Sequence, residues 1–190
     1  MVEHFTRNEK VASSILAGGS NEQNPPYRAG FAIVKVMSGM ISLRPARNED
    51  LGFLFEVSMR AMEPTVKTLN PGKVFDKEEE FKKYQQKFEP SKIEVIQFEG
   101  KDVGRLRVVR SAEQIYVGGI QILPEFQGKG IGTYIFTDLV NESNTSGLSI
   151  MLEVHDVNEK ARSFYKKLGF VEEEKVKDQT VMRYKPKIAG

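Results

Sequence analysis

Three glycines two residues apart, Gly128, Gly130 and Gly132, stand in the stretch Leu123-Pro-Glu-Phe-Gln127-Gly128-Lys129-Gly130-Ile131-Gly132-Thr133. The stretch follows an apolar strand pattern and opens a helical one. Glycine admits backbone angles closed to other residues and lets the chain approach a ligand closely. Successive N–H groups in such a turn form a nest for an anion. The helix mouth behind it adds unpaired N–H groups and roughly half a positive charge. A pyrophosphate is the natural guest, with Lys129 and the Thr133 hydroxyl as further contacts. The spacing is not that of a Walker A loop: no glycine stands five residues before Gly128-Lys129, and no Ser or Thr follows the lysine. Nor is it a dinucleotide fingerprint. The competing explanation is a tight strand-to-helix turn with no ligand.

The groups able to move protons lie further on. In a strand over Ser149 to His155, the residues Met151, Glu153 and His155 share one face, opposite Leu152 and Val154. A carboxylate beside Met151 in a cleft has a raised pKa and accepts a proton, often through water. A paired carboxylate at a strand end explains Glu153 equally well. His155 is either a substitute base or a surface residue. The Tyr165 phenol, with a pKa near 10, stays protonated at neutral pH and suits a general acid. Against that, Ala161, Phe164, Tyr165 and Leu168 follow helical spacing, so packing is the competing role. Asn158 opens the same helix, and asparagine is a good helix cap.

The elements that must carry these residues are legible from periodicity. Ile41 to Arg44 alternates as a half-buried strand does. Asn48 is the expected cap of a helix through Leu51, Phe55 and Met62, and Asp76 caps a charged helix through Phe81, Tyr84 and Phe88. Ile93 to Phe98 and Val103 to Arg110 form a hairpin about Glu99-Gly-Lys-Asp102. A third strand, Gln114 to Leu123, ends at Pro124. A helix follows from about Lys129 to Asn141, then the Ser149–His155 strand. A helix from Asn158 to Leu168 stops at Gly169, where a left-handed turn is needed. Phe170 to Val176 and Thr180 to Tyr184 close the chain. The order is β-α-α-β-β-β-α-β-α-β-β.

Composition bounds the rest. The chain has 190 residues, enough for one domain, and 28% of them are charged with a formal net charge of only +2. That balance argues neither for nor against a nucleic-acid partner, although a local basic patch could matter; no nucleic acid is expected. There is no cysteine and there are only two histidines, His4 and His155. Disulfides, thiolate metal sites and cysteine nucleophiles are excluded, and no metal site is expected. No apolar run approaches the roughly 20 residues that cross a bilayer, and Glu3 and Glu9 interrupt the start. No membrane association is expected, and the location is read as cytoplasmic. Residues 1–39 are read as an N-terminal extension, with Phe31 to Met37 as an extra strand or a tail, and residues 40–190 as the domain.

The glycine stretch resembles the Gln/Arg-x-x-Gly-x-Gly/Ala motif of the GNAT superfamily of acyl-CoA N-acyltransferases. Ile120-Gln-Ile-Leu-Pro124 looks like that family's fourth strand. Leu152 to Phe170, with Asn158, Ala161, Tyr165 and Gly169, is similar to its second signature. The resemblance spans about residues 40–185 and implies an α/β fold of the GNAT type: a central, mostly antiparallel sheet splayed between strands 4 and 5, with helices on both faces. It implies acetyl-CoA as co-substrate and a primary amine as acceptor. It assigns the amides of Gly128, Lys129, Gly130, Ile131, Gly132 and Thr133 to the pyrophosphate, with Gln127 in the same motif. It assigns the backbone of Gln121, Ile122 and Leu123 to the pantetheine arm, as an added strand, and an N–H of Ile122 or Leu123 to the oxyanion. Asn158 would orient the cofactor or the strand beside it. Tyr165 would be the general acid. Glu153 would be the base, a spacing similar to that in the ribosomal-protein N-terminal alanine acetyltransferases.

The resemblance leaves the acceptor open among protein N-termini, lysines and small amines, and leaves a homodimer open. A non-catalytic acyl-CoA sensor on the same fold is the alternative function. Two other features have plainer explanations. The mixed-charge helix from Asp76 to Lys87 suits a solvated face with i,i+4 pairs. Arg105, Arg107 and Arg110 form a basic stripe that suits either an exposed hairpin or an acidic acceptor.

Overall fold

A computed structural model describes residues 39–72 and 76–187. The expectations for residues 1–38, including the strand from Phe31, lie outside these. The described chain forms seven strands: β1 (Ile41–Pro45), β2 (Glu94–Phe98), β3 (Lys101–Arg110), β4 (Gln114–Ile122), β5 (Ser149–His155), β6 (Val171–Val176) and β7 (Gln179–Tyr184). Four α-helices join them: α1 (Leu51–Leu69), α2 (Lys77–Gln86), α3 (Ile131–Ser146) and α4 (Glu159–Lys167). The sheet order is β1-β2-β3-β4-β5-β7-β6, with β4 and β5 parallel and every other pair antiparallel. This is the mixed sheet that the sequence implied.

The β2–β3 turn has two residues, Glu99 and Gly100, both at positive φ (50° and 73°). Two left-handed residues match the right-handed twist of the flanking strands. The chain between β4 and β5 crosses over as α3, and that between β5 and β6 as α4. Both crossovers advance the same way along the sheet, so right-handed connection puts both helices on one face. Phe136 of α3 and Phe164 and Tyr165 of α4 accordingly share one core with Leu106, Ile120, Ile150 and Leu152. The opposite face carries α1 and α2, whose Leu54 and Tyr84 pack against Val95.

Helix starts differ from expectation in an instructive way. Asp76 does cap α2, accepting from the N–H groups of Glu78 and Glu79 at 2.9 and 3.2 Å. Asn48 does not cap α1. It opens a 3-10 turn, Asn48–Asp50, and α1 starts at Leu51. The reason is Asp50, whose carboxylate accepts from the Arg47 N–H and from both terminal nitrogens of Arg44, each at 2.8 Å. Arg44 also pairs with Asp102 of β3, so one guanidinium ties β1, the start of α1 and β3 together. It holds both carboxyl groups below the usual carboxylate range, mainly by hydrogen bonding, against a smaller opposing effect of burial. Carboxylates depressed in the folded state contribute stability above their unfolded pKa and lose it as pH falls through the folded pKa. Urea midpoints should therefore fall as the pH drops below about 4. Arg44→Met should remove part of that pH dependence and cost about 1–2 kcal/mol, since partial exposure screens the pairs.

Candidate active site

The site is built on a place where two neighbouring strands part. β4 and β5 pair from Gln114↔Ser149 to Val117↔Leu152, and there the register ends. Each strand continues on its other side. β4 stays with β3 as far as Gly104↔Ile122, and β5 stays with β7 as far as His155↔Gln179. A bulge marks the point of parting: Arg107 faces Gly119 and Val108 faces Val117, so Gly118 is the extra residue. Bulges bend a strand and increase its twist, which carries the end of β4 away from β5.

The ladder decides which backbone groups face the opening. The Leu123 N–H donates to the Val103 carbonyl at 2.9 Å. Antiparallel partners alternate between bonded and non-bonded pairs. Leu123 and Gln121 therefore turn their backbone toward β3, and Ile120 and Ile122 turn theirs toward the opening. Of the two expected oxyanion donors, Leu123 is committed within the sheet and Ile122 is the one directed outward. Ile120 was not among the expected residues. Its role depends on register, which the amino-acid pattern does not reveal. The side chains are divided the other way, with Ile122 in the core and Gln121 buried (6% exposed) on the α1–α2 side.

The glycine turn follows at once. Gly128 and Gly130 adopt left-handed φ values of 75° and 81°, and a methyl group built on Gly128 meets nothing within 4 Å. These two residues delay α3 to Ile131, two later than expected. Gly130 stands at its N-cap without a side chain to close it, and the Tyr134 N–H is the first to bond back, to Gly130 O at 2.9 Å. The N–H groups of Ile131, Gly132 and Thr133 thus lie at the helix mouth ahead of that first bond. Ile131 anchors the turn by burying its side chain. Two polar side chains take local roles. The Gln127 amide donates to the Ile122 carbonyl at 2.9 Å and clasps the strand end. The Lys129 ammonium lies 4.8 Å from the Phe126 ring centre and 5.8 Å from that of Phe98.

Around the opening, a cavity of about 370 Å³ lies between α1 and the loops after β4 and β5, and it brings Gln127 and Asn158 to one hollow. Asn158 caps α4, accepting from the Ala161 N–H at 3.1 Å. A larger cavity of about 520 Å³ lies on the α1–α2 face, with Gly118, Gly119 and Gln121 of β4 among its walls. The acid–base candidates flank the sheet. Tyr165 is almost fully buried (1% exposed) on the α3–α4 face, its ring 5.1 Å from Phe136 and 5.7 Å from Phe170. Strand parity puts half-buried Glu153 on the other face, just beyond the last β4–β5 pair. His155 is not a surface residue. It is 2% exposed, with Nδ1 3.2 Å from Asp178 Oδ2 and Nε2 3.4 Å from Gln179 Nε2, both in the β6–β7 hairpin.

A sequence model described as the acetyltransferase (GNAT) family matches residues 54–170. The chain belongs to this family. Its members' chemistry makes it an acetyl-CoA-dependent N-acetyltransferase. No curated protein matches the sequence. Among solved structures, PaiA N-acetyltransferase from Thermoplasma acidophilum, crystallised with coenzyme A, is similar at 20% identity and a TM-score of 0.61, over 76% of this chain and 98% of that one. The ribosomal-protein-S18-alanine N-acetyltransferase from Escherichia coli is similar at 18% identity and a TM-score of 0.55, over 80% and 97%. Spermidine/spermine N-acetyltransferase SpeG from Vibrio cholerae is similar at 21% and 0.52, over 78% and 94%. At these identities the likeness is one of fold. Among the described residues no helix is long and apolar enough to cross a membrane, and no group of three or more His, Cys, Asp or Glu could hold a metal ion.

The open space at Gly128 makes a direct test. Gly128→Ala should fold, with a stability loss of about 1–2 kcal/mol from the left-handed backbone. Its methyl group would project beside the helix mouth, so calorimetric titration should show weaker binding of coenzyme A than in the wild-type protein.

Proposed function

We propose that this GNAT enzyme holds the acetyl-CoA pyrophosphate on the amides from Gly128 to Thr133, threads the pantetheine arm into the opening beside Ile120 and Ile122, and transfers the acetyl group directly to a primary amine. One observation carries this reading: a glycine-built helix mouth with no capping side chain adjoins the parted ends of β4 and β5. The pantetheine amides would complete the ladder that β5 leaves, as an added strand does. Gln127 supports the arrangement by fixing the end of β4, and Asn158 by fixing the start of α4. Lys129 keeps a positive charge beside the phosphates.

The reaction needs a neutral amine, a donor to the oxyanion and a proton for the thiolate. The amine nitrogen attacks the thioester carbonyl, and the Ile122 N–H donates to the oxyanion that forms. Glu153, directly or through water, takes the proton that the nitrogen sheds. The carbon–sulfur bond then breaks, and Tyr165 gives its phenolic proton to the departing thiolate. The opposite faces of Glu153 and Tyr165 suit these roles, because amine and thiol lie on opposite sides of the reacting carbon. The reading puts the reaction in the cytoplasm, where acetyl-CoA is at hand.

The second reading is an acyl-CoA-binding protein without turnover. The observation favouring it is the burial of Tyr165 among aromatic rings, as a packing residue would be. Tyr165→Phe separates the two, because it keeps the ring and removes only the hydroxyl. Under the catalytic reading, kcat falls about 10²-fold or more while coenzyme A affinity holds; an unchanged kcat removes Tyr165 from the chemistry. Glu153→Gln should flatten the acidic limb of the kcat/KM–pH profile, and a limb that persists assigns the base elsewhere.

A further inference from the structure

Gly104 lies inside β3, and a glycine in a strand interior weakens the strand unless a bulge or a close backbone approach requires it. It stands opposite Ile122 in the β3–β4 ladder. A methyl group built on Gly104 would lie 2.5 Å from the Gln121 carbonyl oxygen and 3.3 Å from Ile122 Cα. Close carbon–oxygen approaches in sheets stop at about 3.3 Å. Any side chain here would therefore push that carbonyl away by nearly an ångström. Gly118 makes a contrast, because a methyl group there meets the flexible Arg107 side chain first, 3.1 Å from its Cδ. At Gly104 the obstacle is backbone, which cannot swing aside.

The close approach has a cause in β3 itself. Ile96 of β2 faces Gly104 and Gln97 faces Asp102, so Val103 is an extra residue in β3. Side chains of a regular ladder stand out of the sheet, away from the neighbouring strand. A bulge twists its strand locally, and this one rolls Gly104 toward β4. Asp102 holds the bulge from one side, accepting from Gln97 Nε2 at 2.8 Å and pairing with Arg44. The Val103 carbonyl holds it from the other, by accepting the Leu123 N–H.

The carbonyl that Gly104 admits belongs to the peptide unit that carries the Ile122 N–H. That unit is a rigid plane with oxygen and hydrogen on opposite edges. Its oxygen faces β3 and its N–H faces the opening, so pressure on the one displaces the other. We infer that Gly104 is a positioning residue for acetyl transfer: lacking a side chain, it lets the Gln121–Ile122 peptide sit close against β3 and so sets where the Ile122 N–H meets the thioester oxygen. This rests on the reading that Ile122 donates to the oxyanion. Oxyanion donors act over about 2.7–3.1 Å, a window narrower than the displacement a methyl group would impose.

The test binds acetyl-CoA, labelled with ¹³C at the acetyl carbonyl, to the full chain and reads the thioester carbonyl stretch by infrared difference spectroscopy. In the wild-type protein, donation from Ile122 should lower the stretch relative to free acetyl-CoA. In Gly104→Ala most of that lowering should be lost, while calorimetric titration shows coenzyme A affinity unchanged, since the glycine turn is intact. Ile96→Val supplies the control, because Ile96 Cδ1 lies 3.2 Å from the added methyl group and valine lacks that atom. Gly104→Ala/Ile96→Val relieves the side-chain crowding and leaves the backbone contact. Its urea midpoint should recover above that of Gly104→Ala, while the carbonyl stretch stays near the free value. The double variant also carries the test if Gly104→Ala alone does not fold. A stretch lowered as in the wild type, in either variant, would overturn the inference. A wild-type stretch equal to that of free acetyl-CoA would instead overturn the Ile122 donor on which the inference rests.

Discussion

The separation of β4 from β5 beyond Val117 and Leu152 is the constraint on which the proposed chemistry depends. It is a costly arrangement, because backbone N–H and C=O groups need partners. The sheet sustains it by holding each strand firmly from behind. β3 grips β4 along its length and β7 grips β5 to its end. The opening is thus a defined slot between two rigid edges, and a guest with amides of its own can complete the ladder on entering. The Gly118 bulge and the Gln127 clasp act on the same strand, one turning it away and the other securing its tip.

The two faces of the slot are made of different material. On the α3–α4 side lies an aromatic cluster in which Phe136 meets Phe164, Tyr165 and Phe170 at centre distances of 5.1 to 6.0 Å. Such pairs add about 0.5–1.5 kcal/mol each beyond their buried area, so this wall is rigid. On the α1–α2 side the wall is half polar, with arginines, lysines and Tyr84 around the larger cavity. A rigid apolar wall suits a fixed cofactor arm, and a charged wall suits recognition of a particular acceptor.

Charge placement also separates architecture from chemistry. The Arg44–Asp50–Asp102 cluster, the Arg110–Glu142 pair and the Arg162–Glu172 pair each join separate elements. Their partners are matched, and the hydrogen bond between them, more than the charge alone, shifts Asp50, Arg110 and Glu172 toward their ionised forms. Around the larger cavity the ion pairs are local instead, with Lys83 held by Glu79 and Glu80 and Lys92 by Glu89.

Local chemistry in the chain was sufficient to determine much of this. Strand alternation from Ile41 to Tyr184, the Asp76 and Asn158 caps, and the stop at Gly169 follow from periodicity and side-chain type, so element order and fold class were legible. The glycine turn was legible too, since glycine takes the left-handed backbone found at Gly128 and Gly130 without strain. Boundaries shifted where long-range partners intervened, as when Arg44 drew Asp50 into its network and took the start of α1 from Asn48. What tertiary structure alone decided was register and facing. The ladder to β3 turned Ile120 and Ile122, rather than Gln121 and Leu123, toward the opening. Strand alternation already set Arg110 apart from Arg105 and Arg107, and the tertiary structure gave it its partner, Glu142 of α3. The sheet put Glu153 and Tyr165 on opposite faces and buried His155 against the closing hairpin. A side chain's type is a local property, but the surface it meets depends on pairings made across the whole sheet, where moving one residue along a strand exchanges one face for the other.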